Sequence, residues 1–123
     1  MAATIEIRNE TRGTVVADRC YLAHSMGERI VGLLNRSSLE PGEGLLIERT
    51  QSIHMFFMRF AIDAVFIDAS GRVTKLVGDL KPWRVVWWAR GARDCVELPV
   101  GAIRASGTQV GDHLSHQPAI SRR

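Results

Sequence analysis

The chain has 123 residues, 46% hydrophobic and 24% charged, a length and balance that suit one globular domain with a real core and exclude an intrinsically disordered segment. Net charge is +3, too small an excess to announce a nucleic-acid footprint, and no run approaches the 18 or so apolar residues that a membrane-spanning helix needs. The expectation is a cytoplasmic protein with neither nucleic acid nor membrane as partner. Cys20 and Cys95 lack metal-type spacing and are too few for a disulfide framework, so both read as buried thiols.

In chain order, "TIEIR" at 4–8 alternates apolar and polar residues and predicts a strand, with "TVVADRCYLA" at 14–23 as its hairpin partner across "NETRG". In "SMGERIVGLLNR", Ser25 and Glu28 have capping-box spacing and Met26, Ile30, Leu33 and Leu34 share one helical face, which predicts an early α-helix over 26–35. "SSLEPGEG" is loop and delivers "LLIER" as a short strand. "IHMFFM" and "AVFI" follow as strands joined through "RFAID", and "DASG" closes a hairpin into "RVTKLV". "RVVWWA" and "RDCVELP" are further strands, "VGAIRASG" allows one helical turn ending at Gly107, and a last short strand is expected near His113 and Leu114. Residues 115–123 have no period and are expected to form a mobile tail behind a single domain over 1–114. The fold class is mainly β (α+β by count): a small antiparallel β-barrel or two-layer sandwich with one early α-helix near 26–35.

Two clusters carry possible chemistry. "SIHMFFMRFAIDAVFID" embeds His54, Arg59 and Asp63 in the densest apolar run of the chain, where ionisable groups are costly unless paired or functional. "KPWRVVWWARGARD" sets Trp83, Trp87 and Trp88 beside Arg84, Arg90 and Arg93, a composition that binds by stacking plus charge or else fills a core and covers a sheet edge. Three readings of these residues stay open. The first is a binding module for a small polar or anionic ligand, with Arg59 and Arg84 as charge partners, His54 and Asp63 as hydrogen-bonding groups and Trp83 as an apolar wall. The second is an acid/base enzyme, a hydrolase or isomerase using His54 and Asp63. In the third the residues only lock the fold, Arg59 pairing with Asp63 across a bend. The thioethers of "HMFFM" suit a soft metal, but Met55 and Met58 fall on opposite faces of a strand, so no metal and no cofactor is expected.

Together "GLLNRSSLEPGEGLLI", "IHMFFMRFAIDAVFID", "GRV", "KPWR" and "ARDCVELPVGAIRASGTQVGDHL" resemble the bacterial and archaeal domain-of-unknown-function 192 family, in the branch with the signature Ile-His-Thr-Phe-x-Met-Arg-Phe-Pro-Ile-Asp. Ile53, His54, Phe56, Met58, Arg59, Phe60, Ile62 and Asp63 agree with it, while Met55 stands in place of Thr and Ala61 in place of Pro. Pro82, Trp83 and Arg84 match a later motif, and Glu97, Leu98, Pro99 and Gly101 match a Glu-Leu-Pro-x-Gly segment. Thr50 lies near a position where relatives have Cys, which speaks against thiol chemistry. The resemblance implies a compact, mainly β fold and no established activity.

Overall fold

A computed structural model describes residues 4–25, 27–29 and 36–119. Strands β1 (Thr4–Asn9) and β2 (Thr14–Ala23) form the expected antiparallel hairpin. Strands β3 (Glu43–Ile47), β5 (Ile62–Ile67), β6 (Val73–Leu80), β8 (Asp94–Pro99) and β9 (Leu114–Pro118) complete a seven-stranded sheet in the order β6-β5-β8-β3-β2-β1-β9. A separate ribbon pairs β4 (Ile53–His54) with β7 (Val85–Val86). A short α-helix, α1 (Ala102–Ser106), ends at Gly107 in the left-handed region as the sequence predicts.

The sheet is mixed: β2 and β3 run parallel, because the chain between them, residues 24–42, crosses over instead of turning back. Of the helix expected over 26–35, Gly27, Glu28 and Arg29 are helical and the remainder lies outside the described residues. Ser25 opens it as a cap should, its Oγ accepting the Glu28 N–H at 3.2 Å.

Among the described residues the strands form a sheet with two edges rather than a closed barrel. The edge strands β6 and β9 meet at one end, where Arg72 bridges His113 and the Val73 N–H reaches the Asp112 carbonyl at 2.8 Å. Such contact across a seven-stranded order requires the sheet to curl. One face buries Ile7, Val16, Val65, Ile67, Val96 and Leu98 in one cluster, with Ile103 of α1 packed against it. On the other face Ile47, Ala64, Phe66 and Cys95 pack against Ile53, Met55 and Val86 of the ribbon region. Strands β3 and β5 are therefore buried on both sides, which is why "EGLLI" and "IDAVFI" lack polar alternation.

The expected mobile tail needs correction. Residues 114–118 form β9, paired with β1 from Asn9↔Leu114 to Ile5↔Pro118. Only Leu114 of this strand is buried, so the ladder is held by backbone hydrogen bonds that leave no apolar period in "LSHQP". Residues 120–123 of that segment lie outside the described residues.

Asp63 of β5 is a tie within this fold. β6 has a bulge opposite it, the register stepping from Ile62↔Leu80 to Ala64↔Val77. The buried carboxylate fills the gap: Oδ1 accepts the Asp79 N–H at 2.9 Å, and Oδ2 accepts the N–H groups of Gly101 (3.1 Å) and Ile103 (3.0 Å). The N-cap of α1 is Gly101, with no side chain of its own to offer, so Asp63 caps the helix from a neighbouring strand.

Two stability predictions follow from this part of the fold. Asp63→Asn turns one acceptor into a donor facing backbone N–H groups, and should cost about 1–3 kcal/mol in urea unfolding; an unchanged midpoint would show that the three bonds do not hold the bulge and helix together. Among the described residues the Ala61 N–H makes no backbone hydrogen bond, so Ala61→Pro should be tolerated and raise stability by roughly 0.4–1 kcal/mol by restricting the unfolded chain. A lowered denaturation midpoint would mean that the backbone entering β5 does not suit proline.

Candidate functional site

The ribbon is built around Met55. Ile53 pairs with Val86 and His54 with Val85, and the pairing continues as the Met55 N–H donates to the Arg84 carbonyl (2.8 Å). The Met55 carbonyl then accepts two donors, Trp83 N–H at 2.8 Å and Met58 N–H at 3.3 Å. The strand expected over "IHMFFM" thus ends at His54, and the chain turns through Phe57 at φ +64°. Across from it, Trp83 sits at φ +70°. Left-handed backbone is costly for bulky residues, and here it throws two rings outward and against each other, centroids 5.0 Å apart.

The outer face of the ribbon is aromatic. Phe57, Trp83 and Trp88 are 70%, 60% and 63% exposed, Trp87 is 82% exposed and Phe56 is 41% exposed, so none of the tryptophans fills the core. The Trp88 indole N–H donates to Gln51 Oε1 at 3.2 Å. His54 stacks on Phe56 (4.9 Å between centroids), and Phe56 leans on Trp83 at 6.0 Å. A shallow groove of about 300 Å³ runs along this face, lined by Ser52, Ile53, His54, Phe56, Val85 and Trp87. His54 Nδ1 accepts the Phe56 N–H at 3.4 Å. Burial and the positive charge of Arg29 push its imidazole below the ordinary 6.5, so the ring is neutral near pH 7.

What fastens the ribbon to the sheet is an ion pair that sequence reasoning missed. Arg29 and Glu97 are 2% and 0% exposed. The guanidinium donates from Nε to Glu97 Oε1 at 2.5 Å and from Nη1 to the His54 carbonyl at 2.7 Å, and Nη2 lies 3.6 Å from the Met55 sulfur. Glu97 Oε2 is buried with no partner among the described residues. Burial raises the Glu97 carboxyl above its usual range despite the opposing pull of Arg29. A carboxylate amid the buried residues of "DCVELP" was the available signal, since it demands a cationic or hydrogen-bonding partner.

The structure brings His54 and Trp83 into one aromatic surface, with Arg84 exposed beside Trp83 and Arg59 exposed two residues after Phe57. It does not bring Asp63 there. Asp63 alternates with Ile62 and Ala64, which face the ribbon, and its carboxylate reaches Gly101 and Ile103 on the opposite side of the sheet. His54 and Asp63 therefore cannot flank one reacting atom, and the acid/base pair loses its geometry. Nor does Arg59 pair with Asp63 among the described residues, because backbone N–H groups occupy that carboxylate. Met55 and Met58 are buried while His54 turns outward, so "HMFFM" presents no convergent soft-ligand set. Cys20 and Cys95 belong to the two different core clusters, and burial pushes the Cys20 thiol up to about 12 and Cys95 well above its ordinary value, so neither supplies a thiolate nucleophile.

Comparison with known proteins agrees with this architecture. Relatives include a UPF0127 protein of Thermococcus sibiricus, 34% identical over 113 residues that cover 86% of this chain and 71% of that one. A second, from Pyrococcus furiosus, is 35% identical over 109 residues, covering 86% and 93%. Both source organisms are archaea. Among solved structures, a proposed transcription regulator from Sinorhizobium meliloti superposes with a TM-score of 0.77 at 20% identity, covering 94% of this chain and 96% of that one. A protein of unknown function from Novosphingobium aromaticivorans gives 0.75 at 20% identity, covering 90% and 82%. At such identities the likeness concerns the fold alone. The family model DUF192, described as "Uncharacterized ACR", matches residues 7–116, and the chain belongs to that family.

Proposed function

We propose that the protein is a binding module whose ligand is anionic and is held on the outer face of the β4–β7 ribbon. The observation that carries this reading is a segregation of charge. Residues 51–60 and 81–93, which build the ribbon and its turns, hold five basic residues (Arg59, Lys81, Arg84, Arg90 and Arg93) and no acidic one. The other segments hold 11 basic and 13 acidic residues. All five cations are exposed. Lys81 pairs with Asp79 just outside the segment (3.1 Å) and Arg93 lies 3.9 Å from Asp94, whereas Arg59, Arg84 and Arg90 have no carboxylate partner among the described residues. The uncompensated positive charge therefore lies on the segments that build the aromatic surface.

In this reading Arg59 and Arg84 supply charge, Trp83 and Trp87 supply apolar walls, and the neutral His54 supplies a hydrogen bond from Nε2, since its Nδ1 is already an acceptor. Asp63 leaves the ligand-binding set because its oxygens are committed to backbone donors. An anion is favoured over a neutral polar ligand by the lack of carboxylate acceptors on the ribbon.

The tryptophans make the test direct. Titration with inorganic phosphate, sulfate and citrate at constant ionic strength should give a saturable change in tryptophan emission, and a neutral sugar should give none. Arg84→Gln, at an exposed position, should leave the fold intact and weaken binding about tenfold, the value of one charge-assisted hydrogen bond. A flat response to every anion would remove the reading.

A further inference from the structure

The same surface carries more apolar area than a small anion can use. The chain has eight aromatic residues (Phe, Trp and Tyr), and the five that are exposed all lie on the ribbon segments: Phe56, Phe57, Trp83, Trp87 and Trp88. We infer that the anionic partner is a lipid bilayer surface, with the aromatic rings entering the headgroup region and Arg59, Arg84, Arg90 and their neighbouring cations contacting anionic headgroups. This rests on the anion-binding reading above and names the source of the anion.

Three observations favour a bilayer over other partners. First, Trp and Phe beside Arg59, Arg84 and Arg90, which have no carboxylate partner among the described residues, is the side-chain mixture that membrane interfaces accommodate: amphipathic rings at headgroup depth, cations toward phosphate. Second, His54 stacks on Phe56, and Phe56 and Phe57 lean on Trp83 at a tilt, so these rings crowd one another into a continuous apolar surface, and open faces are left mainly to Trp87 and Trp88. A stacked nucleobase or sugar needs an open ring face, whereas an interface needs only outward apolar area. Third, a second copy meeting this surface face to face would set Arg59, Arg84 and Arg90 against the same three cations, an arrangement that like charges oppose.

The sequence suggested no membrane partner because nothing in it spans a bilayer, and no described helix is long and apolar enough to cross one. A peripheral surface needs no span, so the lack of a spanning segment does not bear on attachment of this kind. Attachment of this kind depends on salt, since about 1 kcal/mol per cation, equivalent to about fivefold in partition, is screened within a Debye length.

The experiment uses the full chain and extruded vesicles of phosphatidylcholine alone or mixed with phosphatidylglycerol. The protein should sediment with the mixed vesicles at low salt, be released at high salt, and stay in solution with phosphatidylcholine alone. Bound protein should show blue-shifted tryptophan emission that brominated acyl chains quench. Arg90→Gln should lower partition about fivefold, and Trp87→Ser should lower both partition and quenching; both positions are exposed, so folding is preserved. A response to glycerol phosphate without vesicle binding would overturn the bilayer while leaving the anion reading in place, and silence in both assays would remove both. Vesicle binding without brominated-lipid quenching, a concentration-dependent dimer without vesicle binding, or a preference for single-stranded oligonucleotide over vesicles would each overturn the inference.

Discussion

The position of the ribbon depends on one buried cation. Arg29 leaves the short helical stretch after β2, crosses to Glu97 on β8 and also donates to the His54 carbonyl at the end of β4. One side chain thereby joins three parts of the chain that share no ladder. The cost of placing both charges in the core is recovered only while they stay paired, and loss of a single partner strands the other. That asymmetry makes the pair a specific lock between ribbon and sheet. It also contributes to the electrostatics of the outer face: burial first, and then the positive charge of Arg29, hold the His54 imidazole below its ordinary value.

Above that lock the ribbon holds an unusual amount of backbone strain for its size. Phe57 and Trp83 both occupy left-handed φ values, at a cost of order 1–3 kcal/mol each. The contact between their rings, worth about 0.5–1.5 kcal/mol, does not offset this alone. The remainder comes from Met55, whose carbonyl accepts the Trp83 and Met58 N–H groups while its buried side chain packs into the core. The result is a set of apolar rings displayed to solvent by a rigid base, which folding by itself does not require. Display of this kind is what a binding surface needs.

Much of the framework was legible in the sequence. The alternation in "TIEIR" and "TVVADRCYLA" predicted the hairpin, and Gly107 marked the end of α1. The ribbon was misread because Phe56 and Phe57 look like core residues in a run of apolar neighbours; exposure depends on the turn at Phe57, and nothing local requires that residue to adopt positive φ. β9 was expected only near His113 and Leu114, and its extension to Pro118 went unread because an edge strand held by backbone bonds needs no pattern of side chains. The site was half visible. His54, Trp83 and the arginines lie where the sequence drew attention, but Asp63 proved to be a cap and bulge filler, a role set by Gly101 and Asp79, which are distant in sequence. Arg29 and Glu97 are 68 residues apart; Glu97 within an apolar strand signalled the need for a partner, but nothing in the sequence pointed to Arg29. The absence of acids from two separated segments likewise acquires meaning only once β4 and β7 pair.

A double-mutant cycle between Arg29→Met and Glu97→Leu, followed by urea unfolding, tests the lock most directly. Each single change should cost about 3–5 kcal/mol because it strands a buried charge, and the double change should recover a large part of that loss. The recovered double variant should still lose hydrogen-exchange protection across 53–58 and 83–86, since the His54 carbonyl has lost its donor. Single effects near zero that simply add, with the ribbon amides still protected in both single variants, would contradict the claim that Arg29 and Glu97 hold the aromatic surface in place.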